Sequence, residues 1–249
     1  MKWGSFGTVH LLSLVAAAAM IIALYFLLKN RSVKVQITVL GVLSFSGIAA
    51  IIYNLLAWGQ PLAYLPLHLC SLNAMALPIA VFTKNKTVNN LLMVWSLGAL
   101  AALVMNTAMA EATLFGAPFC FYYFPHVLEF GIPILMFKLG LAKKDPACIG
   151  STLAITMTSF TLIHFVNLLI NRYCVANQIL DSTGNVLQVN YMFSLDPSNP
   201  LLALFYKVIP HTYWYMYMIV PIVAVYLLIL YAPQLKGTVA KMFRRKATI

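Results

Sequence analysis

Long apolar runs, broken by short segments in which the basic residues collect, leave this chain few places to fold except a lipid bilayer. Of its 249 residues 62% are hydrophobic and 8% charged, against about 25% charged in a soluble domain. A run of about 20 apolar residues matches the hydrocarbon thickness of a membrane. On that basis spans are expected near residues 6–28, 35–58, 62–82, 88–109, 121–141, 149–170 and 214–231. The expectation is an all-α, polytopic protein with seven transmembrane helices in a single domain over residues 1–249, an external loop at 171–213 and a basic tail at 232–249. The first run has only Lys2 before it and no clear cleavage site, so it reads as a retained span rather than a signal peptide.

The formal net charge of +11 invites a nucleic-acid reading, but position argues against it. Thirteen of the sixteen basic residues lie in alternate connections and in the tail, with only Lys2, Arg172 and Lys207 on the other side. Basic residues collect on the cytoplasmic face of a membrane protein. The N-terminus is therefore expected outside and the C-terminus in the cytoplasm, with the tail suited to anionic lipid. Residues 201–209 are too short to cross and suit an interfacial or re-entrant element. Asp181-Ser-Thr-Gly184-Asn is a turn signal between mildly alternating residues, which suggests a small hairpin. The four cysteines have no metal-site spacing. Cys120 and Cys174 both fall on the expected outer side, where a disulfide is chemically possible and free thiols are equally compatible.

Topology converts residue numbers into depths. The stretch Tyr64-Leu-Pro-Leu-His68-Leu-Cys70-Ser-Leu-Asn73 puts an imidazole, a thiol, a hydroxyl and a carboxamide at the outer end of the third run. Such groups cost free energy in hydrocarbon unless they are paired, and ionisable ones there tend to mark function. From the same expected level come His126 and Glu129 in the fifth run, and His164 and Asn167 in the sixth. Asn106 and Asn54 sit near the outer ends of their runs, and His10 and His211 are peripheral. His126 and Glu129, three residues apart, share a helix face, as do His164, Asn167 and Asn171. His68 and Cys70 are two apart and point to nearly opposite sides of a regular helix, so His126 or His164 serves as well as a base for Cys70.

A thiol needs an imidazole to take its proton before it becomes a good nucleophile. Cys70, His68, His126, Glu129 and His164 are therefore the candidate catalytic set, with Asn73, Asn106 and Asn167 as pocket or oxyanion-stabilising amides. The expected activity is transfer or hydrolysis of a lipid acyl group, with membrane phospholipid or another lipid as substrate and no cofactor or metal. Three alternatives stay open. The polar residues can simply tie helices together by hydrogen bonds. They can line the pocket of a transporter or binding module. Three histidines and a glutamate can also hold zinc in a metal-dependent hydrolase, although no two inner histidines have HxxxH or HExxH spacing.

Leu65-Pro-Leu-His68-Leu-Cys70-Ser, the phenylalanine-rich run into His126, and Asn190-Tyr191-Met192 before an aromatic last span resemble the bacterial YwaF-like integral membrane proteins. The resemblance runs over nearly the whole chain and implies residence in a bacterial plasma membrane. The vertebrate relative of that family is proposed to be a phospholipid acyltransferase working through a membrane cysteine in the equivalent third-span motif. Carried over by motif, that role falls on Cys70, with His68 as the histidine of the motif.

Overall fold

The computed structural model describes residues 1–106, 109–198 and 200–246; the side chains of residues 200 and 236–246 are outside the described set. The protein is all-α and multi-span. Nine α-helices run in order among the described residues: α1 (Thr8–Leu28), α2 (Val33–Ser44), α3 (Ser46–Ala57), α4 (Leu69–Thr83), α5 (Lys86–Val104), α6 (Ala117–Lys138), α7 (Ile149–Ala176), α8 (Pro200–Val208) and α9 (Ile219–Lys246). Among the described residues, six segments are long and apolar enough to cross a membrane: Thr8–Leu28, Val33–Ala57, Lys86–Val104, Ala117–Lys138, Pro146–Ala176 and Trp214–Leu235.

The run expected to span as 62–82 differs. Its helix, α4, begins only at Leu69 and has 15 residues, about 22 Å of rise. Pro61 opens a single 3₁₀ turn, Pro61–Ala63, and the residue before a proline is pushed out of helical geometry, which at Leu65 delays the start further. The basic residues from Lys236 onward lie on α9, with side chains outside the described set.

The chain forms two compact units, Met1–Lys143 and Lys144–Ile249. In the first, α4, α5 and α6 pack on one another, with α1, α2 and α3 against α6. Its core is aromatic. Trp3, 1% exposed, meets Phe119 and His10 edge-on and donates from Nε1 to Ser13 Oγ at 2.9 Å. The N-terminal residues pair with the chain ahead of α6, where Trp3 N–H reaches the Ala112 carbonyl at 2.9 Å and Lys2 pairs with Glu111. Buried His10 accepts from Phe6 N–H on Nδ1, so its Nε2 donates to the Leu103 carbonyl at 2.8 Å. That carbonyl lies in the last turn of α5, where helices leave acceptors unsatisfied. Asn106 binds Gly4 O and Ser5 Oγ. His10 and Asn106 thus anchor the N-terminus.

The second unit is organised by an asparagine ladder. Asn167 and Asn171, one turn apart on α7, each bond both main-chain groups of one residue in the segment alongside. Asn167 takes the N–H and C=O of Tyr191 at 2.9 and 2.8 Å, and Asn171 those of Val189 at 2.7 and 2.9 Å. The two carboxamides do what a neighbouring β-strand would do for an otherwise unpaired backbone. The expected hairpin is present. Leu180 and Val186 form an antiparallel bridge around a turn in which Asp181 Oδ1 accepts from the N–H groups of Thr183 and Asn185. The segment expected to be too short to span is α8, nine residues long.

Candidate functional site

Cys70 is the second residue of α4. In the first turn of a helix the main-chain N–H groups have no intrahelical acceptors, and the positive end of the helix dipole favours charge developing on a thiolate. From α6 come His126 and Glu129, one turn apart as their spacing predicted. The Cys70 sulfur, an imidazole nitrogen of His126 and a carboxylate oxygen of Glu129 all lie within 4.8 Å of one another. These three groups line one partly open cavity of about 70 Å³, together with Gly47, Asn54, Ser71, Ala74, Phe121 and Tyr122 among others. That volume has room for about two water molecules.

His126 Nδ1 lies 2.6 Å from the Tyr122 carbonyl. A carbonyl only accepts, so Nδ1 carries the proton and the Nε2 lone pair remains available as a base or ligand. Glu129 is 3% exposed, its Oε2 has no hydrogen-bond partner, and no lysine or arginine pairs with it among the described residues. Buried polar atoms are nearly always paired, so the orphaned Oε2 of a residue that lines the cavity stands out.

The backbone is arranged around this cavity. A glycine at 47 is required for the close approach of α3: a Cβ there would stand 2.5 Å from Ala74 Cβ and 2.8 Å from Glu129 Oε1. Prolines shape the other two walls. Pro78 in α4, and Pro125 and Pro133 in α6, each lack the N–H that would bond the carbonyl four residues earlier. Those carbonyls belong to Ala74, Phe121 and Glu129, all three of them cavity residues. Asn73 Nδ2 donates to the Glu129 carbonyl at 3.3 Å, replacing the donor that Pro133 lacks.

The structure brings together only part of the predicted set. Cys70, His126 and Glu129 converge. His68 is the N-cap residue of α4 and is not among the described residues lining the cavity. Asn73 and Asn106 are both fully buried, with Asn73 serving the α6 backbone and Asn106 the N-terminus. His164 and Asn167 belong to the second unit, where His164 Nδ1 and Asn167 Nδ2 meet Ser194 Oγ at 3.1 and 3.0 Å. All four cysteines are free. Sequence reasoning passed over Asn54, Ser71, Gly47 and Tyr122 as site residues. The signal that finds several of the cavity residues is a proline four positions downstream.

A family model described as the TMEM164 family matches residues 5–231. The chain belongs to that family. The match covers every residue of the cavity as well as the asparagine ladder, and it agrees with the YwaF-like resemblance of the Pro-Leu-His-Leu-Cys stretch. No curated protein and no solved structure matches the chain.

Proposed function

We propose that the protein is a membrane-embedded enzyme that transfers or hydrolyses a lipid acyl group through Cys70. The observation that carries this reading is the convergence of Cys70, His126 and Glu129 within 4.8 Å in one cavity wall. The family supports it by the resemblance to the vertebrate relative proposed to work through a membrane cysteine. In the proposed mechanism His126 Nε2 takes the thiol proton, and the thiolate attacks the ester carbonyl of a phospholipid. The negative charge on that oxygen is met by the first-turn N–H groups of α4 and by Asn54, whose Oδ1 is held by the Trp58 indole at 3.3 Å. Collapse of the tetrahedral intermediate breaks the ester bond, His126 returns its proton to the departing alcohol, and an acyl thioester remains on Cys70. A second alcohol, or water, then gives its proton to His126 and attacks the thioester, which restores the thiol. The cavity admits the carbonyl while the acyl chains stay in the bilayer.

On this reading the chain crosses a bacterial plasma membrane seven times, N-terminus outside, with α4 and the irregular chain before it making up the remaining crossing. Non-helical backbone is tolerated at membrane depth where it is buried in protein or lines a cavity, and basic residues concentrated in alternate connections and in the tail support the orientation. The test is thioester trapping. Protein incubated with acyl-labelled phospholipid is expected to carry one acyl group at Cys70 by intact mass and peptide mapping. Cys70→Ser is expected to abolish acyl turnover. Unchanged turnover in the serine variant would end the proposal.

A further inference from the structure

We propose that Cys70, His126 and Glu129 form a binding site for a thiophilic divalent cation of the zinc class, and that the bound ion switches the nucleophile off. The binding part stands on geometry alone; its meaning as regulation rests on the acyl-transfer reading above.

Four observations carry it. The three donor atoms are one sulfur, one imidazole nitrogen and one carboxylate oxygen, all mutually within 4.8 Å. Tetrahedral zinc sets such donors about 3.5 Å apart, so side-chain shifts of about 1 Å complete three corners of the shell. His126 is already oriented as a metal ligand commonly is, with Nδ1 held by the Tyr122 carbonyl and a lone pair kept on Nε2. Glu129 lines the cavity, and its Oε2 is buried and unpartnered. The cavity has space for an ion with a water in the fourth position.

Charge decides the class of ion. A thiolate and a carboxylate side by side in a low-dielectric wall are costly, and a lone carboxylate without a cation is costly too. One dication with both anions and a neutral imidazole sums to zero. A monovalent cation would leave a negative charge. A sulfur and nitrogen donor set favours zinc or a similar ion over calcium or magnesium, which prefer all-oxygen shells. Loading the neutral site exchanges one dication for two protons, that of the Cys70 thiol and that of the Glu129 carboxyl, so charge is conserved. With the sulfur lone pair and Nε2 both committed to the metal, neither nucleophile nor base remains.

The experiment uses the full chain in detergent, stripped with a chelator and given zinc or, as a spectroscopic probe, cobalt. One zinc per chain is expected by elemental mass spectrometry after desalting. Cobalt is expected to give a thiolate charge-transfer band that Cys70→Ser lacks, and Glu129→Gln and His126→Gln are each expected to weaken binding at least tenfold. Zinc is also expected to slow modification of Cys70 by a small methanethiosulfonate, mapped by mass spectrometry. That readout uses the unaltered protein and so does not depend on a variant folding. Zinc affinity unchanged in Cys70→Ser, or no charge-transfer band and no protection of Cys70, overturns the site. Thioester formation on Cys70 in chelated protein is scored separately. If thioester forms and zinc does not inhibit it, the inference fails while the acyl-transfer reading stands. If zinc protects Cys70 but no thioester forms, the site stands without its regulatory role.

Discussion

Two histidines on two helices illustrate opposite uses of the same chemistry. His164 on α7 sits in a network in which its Nδ1 meets Ser194 Oγ, Asn167 donates to the same hydroxyl, and Asn167 and Asn171 bond the main chain at Tyr191 and Val189. His126 on α6 faces a cavity beside a thiol and a carboxylate oxygen without a partner. Both stretches look alike in sequence: a histidine with polar residues at helical spacing in an apolar run. The difference lies in what the polar atoms meet. Satisfied groups hold the fold, whereas an unsatisfied group in a cavity wall is held ready for something that enters.

The largest expected effect tests the open side of this comparison. His126→Gln removes the base but keeps much of the volume, so labelled-acyl turnover is expected to fall about 10²- to 10⁴-fold while the melting profile shifts little. Loss of folding with no specific loss of turnover would make the two histidines alike. Next, Asn167→Ala takes away both main-chain bonds to Tyr191 and the contact to Ser194. Denaturation in detergent is expected to show roughly 3 kcal/mol of destabilisation from the buried groups left unpaired. A neutral result would show the ladder to be incidental. Glu129→Gln is expected to change stability by only about 1 kcal/mol in either direction, because the oxygen removed has no partner to lose; a large loss would reveal a structural role.

The smallest effect is local. Hydrogen bonds from the Thr183 hydroxyl and then its N–H hold the Asp181 carboxyl below the usual carboxylate range. A group with a depressed folded pKa stabilises above its unfolded pKa and loses that contribution as pH falls through the folded value. Amide exchange at Thr183 and Asn185, corrected for intrinsic rates, is therefore expected to quicken below the carboxylate range, and to be fast at every pH in Asp181→Ala.

Much of the fold was legible in the chain because span length and charge spacing are one-dimensional properties. The membrane class, most of the spans, the short helix at Pro200–Val208 and the turn at Asp181 all follow from them. The face shared by His126 and Glu129 was legible for the same reason, since it depends only on helical spacing. The partners of Cys70 were half legible: helix geometry turned it away from His68, but spacing could not choose between His126 and His164. The role of Asn73 was hidden because its meaning depends on Pro133 sixty positions later. The late start of α4 at Leu69 depends on how Pro61 and Pro66 bend a run whose hydropathy alone reads as continuous.

Gly47 has a consequence for how this site can vary. The space its absent side chain leaves is bounded by Ala74 Cβ and by Glu129 Oε1, so positions 47, 74 and 129 draw on one shared volume. Gly47→Ala is expected to disturb the packing of α3, and pairing it with Glu129→Ala relieves only the contact with the carboxylate, because Ala74 Cβ still stands 2.5 Å from the added methyl. Full relief requires Ala74→Gly as well, and the carboxylate is lost in the process. A related chain with a side chain at position 47 is thus expected to have changed at 74 as well as at 129, and so to have given up its acid.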